Sequence, residues 1–230
     1  MICKVQNAAF HKHSLYKFLA ILGILFFAGT VQADTRGSEM IAKLQKKFAD
    51  LETLSAHFVK QHYWRVMDQH QEIKGKLLVQ RPDQFRMDSD VQVVVSDGKT
   101  VWHYAPANAQ VLVSDYTAME NDRNYEKLLF DLIFWGGYDK NYVPVYVGEE
   151  KIHRKTYYAV DLLAKKEDTY IHKIRLWIDK RLYLVRQVEY RNIHEDVTTF
   201  VLSDLKVNKK AKPDQFTFHV PSGVELIDVR

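Results

Sequence analysis

Hydrophobic and polar positions change period along this chain. Met40, Ile41, Leu44, Phe48 and Leu51 recur at spacings of three and four, which predicts an amphipathic helix over 38–52. From Ser55 the period becomes two. The alternation predicts extended segments at 55–64, 71–80, 84–88, 91–96, 100–105 and 109–114. Asp97-Gly98, between a valine-rich run and a Trp/Tyr-rich run, marks a hairpin. The alternation lapses over 116–135, where Leu128, Leu129, Leu132 and Ile133 form a helical stripe that Gly136-Gly137 ends. Strand patterns resume at 142–147, 156–163, 169–178, 182–190, 196–207 and 215–219. Many short adjacent strands with turn signals predict a mainly β (α+β) fold, an antiparallel meander with few helices.

Such a sheet must bury one face. Ile73, Gly75, Leu77, Val79 and Arg81 share one parity of their strand; Trp102 and Tyr104 share one of theirs, and Lys76 falls on the outer parity. Bulky side chains and a glycine on one concave face suit an apolar ligand, although the same pattern also describes an ordinary core. Arg81 lies on the apolar parity at a strand end, just before Pro82. It reads either as a turn arginine or as a fork donating to backbone carbonyls, or to a carboxylate, of a covering helix.

The N-terminus alters the reading of composition. Lys4, Lys12 and Lys17 precede the uncharged apolar run Phe18–Val31, and Val31-Gln32-Ala33 resembles a cleavage site. This predicts a cleavable export signal over 1–33 and a single domain over 34–230. Three of the 33 lysines and arginines, and none of the 29 acids, lie in 1–33, so the remainder carries a net charge of only +1. A nucleic-acid partner then has no electrostatic basis. Cys3, the one cysteine, also belongs to the signal, so the remaining chain must be stabilised by its core and not by disulfides.

Catalytic patterns are lacking. The histidines from His57 to His219 show no zinc spacing, and His57 and His62 fall on opposite faces of one strand. Ser96-Asp97-Gly98 is turn chemistry and not a nucleophile elbow. Glu149, Glu150, Glu167 and Asp168 read as solvated loop acids. The expectation is a binding protein with no cofactor and no metal, and not an enzyme.

Three stretches occur in a telling order: GKLLVQRPDQFRMD, VSDGKTVWHYAP and DQFTFHVPSGVELID. Together, behind an export signal and an amphipathic helix, they resemble the outer-membrane lipoprotein carrier proteins of the LolA type. The resemblance covers nearly all of 34–230, with least that is diagnostic over 139–200. It implies a strongly curved, unclosed antiparallel β-barrel with a short helical lid. It also implies a monomeric periplasmic chaperone whose apolar cavity takes the acyl chains of lipoproteins. An inner-membrane lipoprotein-releasing ABC transporter would load it, and an outer-membrane lipoprotein receptor would unload it. Arg81 then corresponds to the lid latch. Leu77, Val79, Phe85, Met87, Trp102 and Tyr104 would line the cavity beneath Leu128, Leu129, Leu132 and Ile133. Met87 stands where many members have tryptophan, SDVQVVVSDG lacks a proline often found there, and YEKLLFDLIFWGG is atypical in wording.

Two alternatives use the same fold: a specialised lipid carrier and an envelope-stress sensor module. The sensor type carries a further C-terminal domain, whereas this chain stops at Arg230, just after the closing motif. The receptor of the pathway would need a cysteine where Asp34 stands.

Overall fold

The computed structural model describes residues 35–117 and 141–230. The proposed export signal and the stripe Leu128, Leu129, Leu132 and Ile133 lie outside the described residues. Among the described residues, helix α1 (Thr35–Ala49) is followed by β1 (Thr53–Trp64), β2 (Gln69–Gln80), β3 (Gln84–Ser89), β4 (Val93–Asp97), β5 (Thr100–Ala105) and β6 (Gln110–Asp115). Then come β7 (Tyr142–Ile152), β8 (Lys155–Ala164), β9 (Ile171–Asp179), β10 (Val185–Asn192), β11 (Val197–Val207) and β12 (Glu225–Asp228). The strands form one sheet in the order β12-β6-β5-β4-β3-β2-β1-β11-β10-β9-β8-β7. The sheet is curved and unclosed: β12 and β7 are its two edges and do not pair.

Two-residue periodicity places one set of side chains on the inner, concave face. Leu54, Ala56, Phe58, Leu77, Val79, Phe85, Met87, Val94, Val101, Val160, Leu162, Ile174, Leu176, Val188, Phe200 and Leu202 form a continuous buried cluster there. Ile41, Leu44 and Phe48 of α1 join it, as does Leu51 just beyond the helix. Lys46 and Lys47 in the last turn of α1 suit the negative end of its dipole. The helix packs on β7 and β8. Close approach there requires Gly37, because a Cβ would lie 2.6 Å from the carbonyl oxygen of Pro144. Gly75 serves a similar purpose on β2, where a Cβ would meet the Phe58 ring at 2.5 Å.

Three expectations are corrected. The helix runs 35–49 and not 38–52; Leu51 is buried beyond its end. Residues 215–219 do not form a strand, because Pro213–Phe216 is a 3-10 turn. The last strand is instead Glu225–Asp228, which pairs in parallel with β6 and so departs from a pure antiparallel meander. Glu149 and Glu150 are not loop acids: both lie in β7 and are ion-paired, Glu149 with Lys180 and Glu150 with Arg175.

The outer face is far from bare. Arg175 on β9 donates from Nε and Nη2 to Asp161 on β8 at 2.6 and 2.9 Å, and Lys173 reaches the same carboxylate at 2.9 Å. Trp177 donates its indole N–H to Glu150 at 2.7 Å. Burial alone would raise the Asp161 pKa, but Arg175 and Lys173 outweigh it and hold the carboxyl below its usual value.

Candidate functional site

Cross-strand partners share a face, so register decides where each candidate points. Leu77 pairs with Met87, Met87 with Val94, and Val94 with His103. One step along, Val79 pairs with Phe85, Phe85 with Ser96, and Ser96 with Val101. Leu77, Val79, Phe85 and Met87 therefore stand together on the concave face, each no more than 7% exposed. Lys76 lies on the opposite face and is exposed, as its parity predicts.

Trp102 and Tyr104 do not join them. Trp102 pairs with Val95, and Val95 with Arg86; Tyr104 pairs with Val93. Both aromatics thus occupy the convex face. That face is apolar here because the C-terminal segment covers it. Val95, Val111, Val113 and Phe216 are buried, and the Phe218 ring lies 5.8 Å from that of Tyr104. Alternation cannot distinguish the two faces of a strand covered on both sides. Bulk alone favours the hairpin aromatics as lining, yet the inward positions belong to the smaller Val94, Ser96 and Val101.

Arg81 closes β2 and reaches α1. Its Nε donates to the carbonyl of Leu51 at 2.9 Å and its Nη2 to that of Phe48, also at 2.9 Å. The last carbonyls of a helix have no partner within it. The planar guanidinium supplies two donors at once, with a charge that favours this end of the helix dipole. The backbone N–H of Arg81 donates to the carbonyl of Glu52 as well, at 2.9 Å. The arginine thus ties the end of the covering helix to the middle of the sheet.

Sequence reasoning missed the other end of the concave face. Lys60 pairs with Phe200 and Ile73, and His62 with Thr198. The His62 ring bonds Thr198 Oγ1 through Nδ1 at 2.6 Å and meets Trp64 edge-on at 4.3 Å. Burial, aided by Lys60, lowers the His62 pKa, with Asp196 opposing. Lys60 Nζ lies 5.6 Å from the centroid of the Phe200 ring. A polar, cationic end therefore borders the apolar surface. Its signal was present in the parity of Phe58, which continues through Lys60 to His62.

The arrangement offers an extended apolar surface, a guanidinium clasp on a covering helix and a polar end. Among the described residues, no group of three or more His, Cys, Asp or Glu side chains is placed to hold a metal ion.

Comparison with known proteins agrees with this architecture. The family model for the outer membrane lipoprotein carrier protein LolA matches residues 49–219. The outer-membrane lipoprotein carrier protein of Aeromonas salmonicida is 30% identical over 224 residues, covering 93% of this chain and 99% of that one. An uncharacterized protein of Methanocaldococcus jannaschii is 22% identical over 220 residues, or 94% of this chain, but the chain spans only 61% of that protein's length. An uncharacterized conserved protein from Thermus thermophilus shares the fold, with a TM-score of 0.55 at 12% identity over 83% of this chain and 98% of that one. By the extent of the family match and the full-length carrier relative, the chain belongs to the outer membrane lipoprotein carrier protein LolA family.

Proposed function

We propose that the protein is a periplasmic carrier that shelters the acyl chains of lipoproteins against its concave face between the inner and outer membranes. The observation that carries this reading is the clasp of Arg81 on the Phe48 and Leu51 carbonyls, set beside Leu77, Val79, Phe85 and Met87. Such bonds can cap a helix end in any core; here they also join the covering helix to the sheet across an extended apolar surface, which is what a cover over a ligand face requires.

The energetics suit a carrier that must release what it binds. Burying a methylene contributes about 0.8 kcal/mol. A hydrogen bond to a charged donor contributes about 1.5–3 kcal/mol net. Opening a clasp costing about 3 kcal/mol would offset the burial of roughly four methylenes and weaken apparent affinity about 100-fold. The closed empty state thereby keeps acyl binding from becoming irreversible.

In this reading residues 1–33 are removed after Ala33, and the protein acts as a monomer from Asp34. A lipoprotein-releasing ABC transporter of the inner membrane loads it, and a receptor at the outer membrane accepts the cargo. The chain itself supplies no catalysis and takes no cofactor.

The test is direct. Protein purified from a periplasmic extract should begin at Asp34 and carry di- or triacylated protein species identifiable by mass spectrometry. Recovery of free phospholipid alone would favour a specialised lipid carrier. Recovery of no acylated species would defeat the reading.

A further inference from the structure

The convex face holds a second site. Between the sheet and the segment after β11 lies a cleft of about 530 Å³, on the face to which the register assigns Ser55, His57, Lys76, Leu78, Arg86 and Asp88. Ser55, Lys76 and Leu78 contribute to its floor, Lys206 stands on β11, and Lys209 and Lys210 belong to the overlying segment. The cleft is preformed. Thr53 Oγ1 donates to the Lys209 carbonyl at 2.7 Å, and the Asn208 backbone N–H to the Thr53 carbonyl at 2.8 Å. At the far side Arg86 Nη1 reaches the Gln215 carbonyl at 3.5 Å, and buried Phe216 anchors the end of the overlying segment.

Its charge is lopsided. Asp88 is engaged by Arg86 through both carboxylate oxygens, at 3.0 and 2.8 Å. Asp204 is engaged by His57 at 3.0 Å. Asp214 is the remaining acid of the lining. Among the described residues, none of Lys76, Lys206, Lys209 and Lys210 has an ion-pair partner. Counting histidine as neutral, the lining sets five cations, Lys76, Arg86, Lys206, Lys209 and Lys210, against the three carboxylates of Asp88, Asp204 and Asp214, an excess of two positive charges in a chain that is nearly neutral over 34–230.

We propose that this cleft docks an acidic, extended segment of a partner protein. Size and spacing favour a polypeptide over a lone anion. Lys76 is on β2 and Lys206 on β11, with β1 between them, so their backbones stand two strand spacings apart, about 10 Å. Lysines on three separate chain segments (β2, β11 and the overlying residues 209–210) offer more contacts than one phosphate can use at once. An extended chain repeats its side chains on one side about every 7 Å, which brings successive carboxylates to successive lysines. The half-buried Leu78 in the floor adds an apolar contact between the charges. Because the site is on the convex face, it is free while the concave face holds a ligand. This inference does not depend on the carrier reading, since it concerns the other side of the sheet.

The test uses fluorescence anisotropy with labelled hexaglutamate on the chain from Asp34. Binding should be salt-sensitive, and Lys209→Glu/Lys210→Glu should weaken it about tenfold. Lys76→Glu, a single exposed change on a different strand, should also weaken it. Lys151→Glu, an equal charge change at an exposed position of β7, should not. Thermal midpoints equal to wild type verify that each variant is folded. No binding of hexaglutamate, equal weakening by Lys151→Glu, or displacement by inorganic phosphate at the same charge concentration would each overturn the proposal. So would capture of phosphatidylglycerol vesicles in place of the peptide, which would make the site a lipid-surface contact.

Discussion

Arg81 shows how one side chain can be read two ways until its partners are known. Its parity puts it on the apolar side, and the guanidinium geometry suits either a turn or a helix end. The structure gives it the carbonyls of Phe48 and Leu51, so it acts on the covering helix. Arg81→Leu removes both bonds and should lower stability by about 2 kcal/mol, since the Leu51 carbonyl loses its guanidinium donor while the Phe48 carbonyl keeps only the Leu51 backbone N–H at 3.0 Å. If the clasp also sets the closed empty state, the variant should retain loaded lipoprotein and pass it to a receptor more slowly than wild type. Arg81→Lys keeps the charge but offers no planar fork, so it should fall between the two. Transfer as fast as wild type with only the stability loss would reduce Arg81 to a helix cap. Other residues are less legible. Lys60 and His62 lie on the same parity as Phe58, yet polar side chains at the end of an apolar row look like the start of solvent. Only the pairing with Phe200 and Thr198 shows them bordering the concave surface.

Elements are easier to read than their orientation. Eleven of the twelve strands among the described residues follow from alternation and turn signals, because a strand with one covered face must alternate. The hairpin at Asp97-Gly98 is an example: Asp97 Oδ1 accepts from the backbone N–H groups of Lys99 and Thr100, both at 2.8 Å. Orientation fails at β5, where both faces are covered and parity carries no sign. The C-terminal strand escapes for a different reason. Glu225–Asp228 is four exposed residues, and what makes it a strand is a parallel partner 115 positions away in sequence, at Gln110. No local pattern encodes that pairing. The helix is governed by a local demand that is visible once the packing is known. Gly37 lets α1 settle on β7, with the Pro144 carbonyl where a side chain would be. Gly37→Ala should force the helix outward against its helix-propensity gain and destabilise the protein by about 2 kcal/mol. Urea denaturation of the variant measures it; a midpoint at or above that of wild type would show that the helix seats elsewhere.

At the scale of the whole molecule, the sheet has two apolar layers, which the proposed carrier function would give different tasks. On the concave side, Leu77, Val79, Phe85 and Met87 join the cluster that reaches α1. On the convex side, Val95, Val111 and Val113 are buried beside Phe216, outside that cluster. A surface that opens for a ligand cannot be the sole source of stability, because each opening would expose much of the core to water. In the proposed carrier, the convex layer would give the sheet a core that need not move when the concave side is uncovered. It also covers the β6 edge through β12, which limits pairing with other chains. The two layers should therefore separate stability from binding. Phe216→Ala removes the buried aromatic of the convex layer and should cost about 3 kcal/mol. Its effect on acyl affinity, measured by displacement of a fluorescent fatty acid well below the melting temperature, should be less than about twofold. Met87→Glu places a carboxylate on the concave face, where desolvation costs several kcal/mol unless it escapes to water, and should weaken the same displacement at least tenfold. If Phe216→Ala abolished fatty-acid binding in a folded protein while Met87→Glu left it intact, the ligand face would be the convex one. The assignment of tasks to the two layers would then be reversed.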